Sequence, residues 1–261
     1  MKLKVRGVVR GIKKEVSYQL SRPDPLLFDH LPKCGGTTIN DYLAKSYPGR
    51  LTFALSDHRP ERSTGAFTQL SQRERWRYQL IFGHHAHGII DWVSPKMKRT
   101  TLFREPIDRI ISHYYYVKRS EFHYLHEAVE KQNISLREYC QVGLSDELEN
   151  WYVLHFSGLD KREVVAKPRH ALDLAYETIR SKYDLIGFQD ELPAFMEALK
   201  QMAGLSASFD NSRKNRTVTR PKVNEVDPMV LETIARYNAL DIELFERLMA
   251  LRAAGVLLRP D

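Results

Sequence analysis

Apolar residues fall along this chain in short blocks between polar, glycine-bearing turns, and the blocks switch between two spacings. The first is Leu26-Leu27-Phe28, an apolar run of the kind a buried strand shows. Pro32, Lys33, two glycines and two threonines interrupt it. Ile39, Tyr42, Leu43 and Tyr47 then recur at helical spacing, which predicts a helix over 38–47. Pro48-Gly49 breaks the chain, 51–55 reads as a short strand, and 57–65, polar with Pro60, reads as a loop. Residues 70–78 are charged and read as a helix. Leu80-Ile81-Phe82-Gly83 is a second apolar strand and 99–104 a third. Glu105-Pro106 opens a helix that continues to Tyr116, with proline at a favoured first-turn position and Ile107, Ile110, Ile111 and Tyr114 on its apolar face.

From 121 to about 181 the pattern is mainly helical. Ser135-Leu136-Arg137-Glu138 has the form of a capping box, so Ser135 is expected to start a helix. Residues 147–156 read as an aromatic-rich helix in which Trp151 and Tyr152 belong to a core rather than to a substrate platform. Residues 184–188 form a short buried strand and 192–202 a helix. Asp227-Pro228 opens a last helix running to about Ala253, with Ile234, Tyr237, Leu240, Leu244 and Leu248 on one face. Strands alternating with helices are the layout of an open α/β sheet.

Length and charge narrow this picture. A chain of 261 residues, 43% hydrophobic, can fill one core, and the organisation expected is a basic N-terminal extension over 1–24 followed by a single α/β domain over 25–261. A net charge of +7 suits a polyanion, an anionic nucleotide, nucleic acid or an acidic membrane without choosing among them. Two cysteines, one of them inside the first glycine turn, give no sign of a disulfide framework or a zinc site. No run of 18 apolar residues occurs and the N-terminus lacks the apolar core of a signal peptide.

The chemistry gathers at strand ends. Strand, glycine turn and helix from Leu26 onward make a phosphate cradle. Gly35 and Gly36 turn tightly and bare their N–H groups, the new helix aims its positive N-terminus there, Lys33 adds a full charge, and Thr37 and Thr38 add hydroxyls. A nucleoside-triphosphate loop sets its lysine after the last glycine, with Ser or Thr for magnesium beside it; here Lys33 precedes the glycines, so a metal-independent site is expected. The bland alternative is a structural turn with a solvated lysine. The second strand ends in Gly83-His84-His85-Ala86-His87. In open α/β sheets ligands gather at the C-terminal strand ends, where an imidazole can exchange protons near neutral pH. The cluster lacks the further ligands of a metal site. Arg104, at the end of the third strand, can fork onto a phosphate, with Ser112 about two turns further on; the alternative for Arg104 is an ion pair with Glu105 or Asp108. The polar, basic stretch 206–223 reads either as a solvated loop or as a lid over an anion.

Taken together, these stretches resemble the sulfotransferases, most closely the carbohydrate type that includes the heparan sulfate 2-O-sulfotransferases. Pro-Lys-Cys-Gly-Gly-Thr-Thr from Pro32 resembles that family's 5′-phosphosulfate loop, and Arg-Glu-Pro-Ile-Asp-Arg-Ile-Ile-Ser from Arg104 its 3′-phosphate motif. Leu80–Gly83 with His84 resembles the segment carrying its catalytic histidine. Residues 183–190 and Tyr237-Asn238-Ala239-Leu240-Asp241 also look familial. The resemblance implies a P-loop-like three-layer sandwich with a central parallel sheet flanked by helices. It further implies 3′-phosphoadenosine 5′-phosphosulfate as co-substrate, no metal, and transfer of a sulfuryl group to an acceptor hydroxyl, on a glycan given the basic surface. Lys33, Cys34, Gly35, Gly36, Thr37 and Thr38 would hold the 5′ end, with Cys34 standing where many relatives carry threonine and contributing only its backbone. Arg104 and Ser112 would hold the 3′-phosphate. Lys33 would also neutralise the leaving oxygen, and His84 first, His87 second, would take the hydroxyl proton. Arg213, Lys214 and Arg216 match, loosely, a loop that covers the nucleotide. Without a membrane anchor the expected setting is the cytoplasm, with a Golgi-lumenal catalytic fragment as the other possibility. No nucleic-acid partner is expected. A kinase-type phosphotransferase and a non-catalytic polyanion-binding protein remain as alternatives.

Overall fold

The computed structural model describes residues 23–55, 60–209 and 220–253. In chain order its strands and α-helices are β1 (Leu26–Asp29), α1 (Gly36–Ser46), β2 (Thr52–Ala54), α2 (Pro60–Gln69), α3 (Gln72–Arg75), β3 (Leu80–Gly83), β4 (Lys98–Phe103), α4 (Pro106–Arg119), α5 (His126–Lys131), α6 (Trp151–Ser157), α7 (Lys161–Ala166), α8 (Pro168–Lys182), β5 (Leu185–Phe188), α9 (Leu192–Met202), α10 (Pro228–Tyr237) and α11 (Ala239–Ala253). They form two compact units, one from the described residues of 1–102 and 182–215, the other from those of 103–181 and 216–261.

The first unit carries a five-stranded, all-parallel sheet in the order β2-β3-β1-β4-β5. Strand β1 pairs with both β3 and β4, setting Asp29 opposite Gly83 on one side and Thr101 on the other. Because successive strand residues face opposite ways, β1 serves two cores at once. Leu26 and Phe28 pack with Ile39, Tyr42 and Leu43 of α1 and with Phe195, Met196 and Leu199 of α9. Leu27 packs on the other face with Ile81, Phe67 of α2 and Ile89. A strand buried on both faces reads as an unbroken apolar run, as this one does. The α/β architecture with a parallel sheet flanked by helices is thus the one the sequence predicts.

The second unit is helical apart from Phe103, the last residue of β4. Its core joins Ile110, Ile111, Tyr114 and Val117 of α4 to Val129, Tyr139, Leu148 and Ile234. Trp151 and Tyr152 are buried, as expected.

Four local expectations need correction. The polar stretch expected to be a loop over 57–65 is, from Pro60, the helix α2. Proline suits its first turn, and its one fully buried apolar side chain, Phe67, is too little to show as a period. The helix expected over 70–78 shrinks to the single turn α3. There Ser71 and Glu74 cap each other reciprocally, and Trp76, just beyond, lies 43% exposed instead of continuing an apolar stripe. The Ser135–Glu138 box forms, but only a short 3-10 turn follows it. The last helix is two helices. Asn238 breaks it because its buried amide donates to the Leu148 and Ile234 carbonyls and accepts from the Asn150 amide.

Candidate functional site

In the first unit the site begins where β1 ends. The chain passes through Asp29, His30 and Leu31, all buried, and then reverses over residues 32–35. Lys33 and Gly35 both adopt left-handed backbone (φ 66° and 91°), a conformation costly for any residue but glycine, and α1 starts at Gly36. No side chain caps that N-terminus, so the first-turn N–H groups are directed to whatever the turn encloses. Cys34 points inward, 1% exposed, its thiol donating to the Pro32 carbonyl at 3.5 Å, and so presents only backbone to the turn. Lys33 and Thr38 are half-buried and Thr37 is exposed.

Gly36 is glycine for a different reason. A Cβ there would fall 1.9 Å from Cδ2 of His30 and 2.3 Å from its Nε2. The sheet register explains the crowding: Asp29 lies opposite Gly83, so His30 and His84 leave adjacent parallel strands side by side. Their rings stack with centroids 4.3 Å apart, and His84 Nδ1 donates to the His30 carbonyl at 2.5 Å. Asn40 of α1 donates to Nδ1 of His30 at 3.0 Å. Burial pushes the His30 pKa well below the ordinary 6.5, the charges of His84 and Lys33 push the same way, and Asp29 opposes them. His30 is therefore a neutral imidazole wedged between the glycine turn and His84.

His87 sits in the short 3-10 turn after β3, which His85 enters with left-handed backbone (φ 61°). Its Nδ1 lies 3.0 Å from the Tyr183 hydroxyl, which donates to Oδ2 of Asp29 at 2.8 Å. The other oxygen of Asp29 accepts from the His87 backbone N–H at 3.3 Å. Asp29 and Tyr183 are both fully buried, and burial together with the Asp29 charge drives the Tyr183 pKa well above 10. Of the residues singled out from sequence, Lys33, Cys34, Gly35, Gly36, Thr37, Thr38, His84 and His87 thus share the C-terminal ends of the paired strands β1 and β3. Asp29, His30, Asn40 and Tyr183 were missed. The first two carried a signal, polar residues directly at the end of an apolar strand; Tyr183 stood in a stretch that resembles the family, but nothing there pointed to a contact with Asp29, 154 positions away.

Arg104 and Ser112 belong to the second unit. The Arg104 backbone is clamped by Tyr152, whose hydroxyl donates to its carbonyl at 2.9 Å and accepts from its N–H at 3.2 Å. Its guanidinium donates from Nε to Asp108 Oδ2 at 2.7 Å, and Arg220 pairs with the same carboxylate. Burial pushes the Asp108 pKa up, but the two arginines outweigh it and hold it below the ordinary value. Glu105 caps α4, accepting from the Ile107 and Asp108 amides at 2.9 and 2.7 Å. Ser112 is buried on α4. Arg220, from the basic stretch 206–223, joins Arg104 around one carboxylate. Arg213, Lys214 and Arg216 lie outside the described residues.

Among the described residues no group of three or more His, Cys, Asp or Glu is placed to hold a metal ion, and no helix is long and apolar enough to cross a membrane. No curated protein matches the chain. The model of the sulfotransferase family matches residues 17–246, which takes in the glycine turn, the β3 histidines and the Arg104 helix alike. With most of its length under that match and a parallel α/β sheet beneath the glycine turn, this chain belongs to the sulfotransferase family.

Proposed function

We propose that the chain transfers a sulfuryl group from 3′-phosphoadenosine 5′-phosphosulfate to an acceptor hydroxyl on a carbohydrate, with a histidine as base and no metal. One observation carries the reading. An uncapped helix N-terminus behind a left-handed glycine turn stands at the end of β1, while two imidazoles stand at the end of the strand paired with it. The backbone N–H groups of residues 34–38, with Lys33, suit the 5′ end of the donor, and the Lys33 ammonium suits the negative charge that grows on the leaving phosphate. The Arg104 guanidinium and Ser112 hydroxyl would take the 3′-phosphate, with Arg213, Lys214 and Arg216 closing over the nucleotide. Sulfuryl transfer needs little covalent help. The chain's part is to orient the hydroxyl, remove its proton at an imidazole nitrogen and meet the leaving charge. The net charge of +7 favours an acidic glycan as acceptor.

The test is binding of the bisphosphate product, 3′-phosphoadenosine 5′-phosphate, followed by thermal shift, then incubation of the protein with sulfur-labelled donor and a panel of glycans. Stabilisation without added metal and label on a glycan are expected. Failure of the bisphosphate to bind, or stabilisation only by ATP with magnesium, would remove the reading in favour of another anion chemistry.

A further inference from the structure

We propose that Asp29 and Tyr183 are positioning residues that make His87 the proton acceptor of the reaction. The inference rests on the reading above that a histidine after β3 takes the hydroxyl proton.

The argument follows the protons. Asp29 as a carboxylate can only accept hydrogen bonds. The Tyr183 hydroxyl has one proton, and at 2.8 Å from Oδ2 it gives that proton to Asp29. Its oxygen is then an acceptor toward His87 Nδ1, 3.0 Å away, so Nδ1 carries the imidazole proton and the lone pair lies on Nε2. The Tyr183 and His87 rings are nearly parallel, 8° apart, which keeps the two groups aligned. Asp29 also takes the His87 backbone N–H, so one buried carboxylate sets both the turn and the ring. When Nε2 accepts the hydroxyl proton, the imidazolium charge is met through Tyr183 by that carboxylate. This is the task of the buried acid in a nucleophile–histidine–acid triad, passed on here by a phenol.

His84 is held by other contacts. Its Nδ1 donates to a neutral carbonyl and its ring stacks on His30, which its own charge would push further from protonation. The charged and titratable groups on the elements around His87 are Asp29 and His30 at the end of β1, and Tyr183 with Arg99 beside it. Among the described side chains there are also Lys182, paired with Asp91, Arg62 exposed on α2, and His84 and His85 on its own segment. Asp29 is the fully buried acid among them.

In the balanced step the acceptor oxygen bonds to sulfur, the bond from sulfur to the bridging phosphate oxygen breaks with its electron pair leaving on the phosphate, and the hydroxyl proton passes to His87 Nε2.

Two measurements on the full chain test the inference. Nitrogen-15 NMR of the histidine rings reads the tautomer without any turnover. Expected is Nδ1–H for His87 in the parent, and its loss in Tyr183→Phe, which removes only the hydroxyl. Asp29→Asn should reverse the relay: its amide donates to the phenol oxygen, and the phenol proton turns to Nδ1. An Nε2–H tautomer in the parent overturns the proposal. In turnover assays Tyr183→Phe should lower kcat by ~10-fold or more, against the 10²–10⁴-fold worth of general base catalysis. It should leave bisphosphate binding unchanged and move the acid limb of the kcat–pH profile to lower pH, because the imidazolium loses its support. His87→Ala should lose ~100-fold or more. If the bisphosphate binds and the parent turns over, but Tyr183→Phe stays within twofold of it with an unmoved acid limb, the relay fails while the sulfotransferase reading stands. If the bisphosphate does not bind, that reading fails and the NMR alone decides the relay.

Discussion

Replacing Gly36 with alanine adds one methyl group at the point where the glycine turn meets His30. The backbone there is ordinary helix, so alanine incurs no conformational strain and by intrinsic propensity would favour the helix by up to ~1 kcal/mol. Space decides the outcome instead. The new Cβ would lie 1.9 Å from His30 Cδ2, so the ring must retreat by about 1.6 Å to reach the ~3.5 Å of an ordinary carbon contact. Retreat is obstructed, because the ring is stacked on His84 at 4.3 Å and holds the Asn40 amide at 3.0 Å. Overpacking of this kind costs ~1–3 kcal/mol, and a lost hydrogen bond adds ~1 kcal/mol. Net of propensity, Gly36→Ala should destabilise the protein by ~1–3 kcal/mol in urea unfolding with an unchanged m value. Gly65→Ala is the same chemical change inside α2 with nothing within 4 Å of the new Cβ, and should instead stabilise by ~0.5–1 kcal/mol. The pair Gly36→Ala and His30→Ala should be non-additive, the double variant being more stable than the sum of the singles by at least ~1 kcal/mol. A Gly36→Ala protein within ~0.5 kcal/mol of the parent, or a strictly additive cycle, would refute the claim that His30 dictates this glycine.

Asp241 caps α6 through the Tyr152 and Val153 amides, and burial raises its pKa from 3.8 to about 6 against the pull of Arg109 and those amides. The folded state then binds the proton more tightly between those values, so its contribution falls as pH rises from about 4 to above 6, by ~3 kcal/mol at ~1.4 kcal/mol per pH unit. Subtracting an Asp241→Asn unfolding series from the parent's should recover that slope, and parallel curves would contradict it. His30 has the opposite sign: its folded pKa is depressed, so stability holds above 6.5 and is lost as pH falls below it. A His30→Gln variant should be flatter between pH 7 and 5, and an equally steep one would place the titrating group elsewhere. For turnover, Lys33→Ala should lower kcat, since its charge acts on the leaving group, whereas Arg104→Ala should chiefly raise the donor KM. The reverse split would exchange the roles proposed for them.

Asp108 shows how far a sequence reading reaches in the second unit. Both partners proposed for Arg104, Glu105 and Asp108, lie within four positions, and helix spacing favours the i,i+4 pair that forms. That Arg220 shares the same carboxylate from 112 positions away could not be read from any spacing.

The chain by itself determined the elements whose signal is local. Apolar runs gave β1 and β3, because a strand buried on both faces reads as a nearly continuous apolar stretch. Glycines, a lysine and threonines between strand and helix marked the cradle, because tight turning and anion contact demand those residue types within a few positions. Tertiary structure alone decided what depends on strand order and register. Setting Asp29 opposite Gly83 is what brings His30 against His84 and forces a bare Gly36, and the fold lets a carboxylate from β1 reach His87 through a tyrosine 154 positions further along the chain. Such contacts leave no periodic trace, since each joins residues whose separation along the chain is arbitrary and whose meeting is set by the folded sheet.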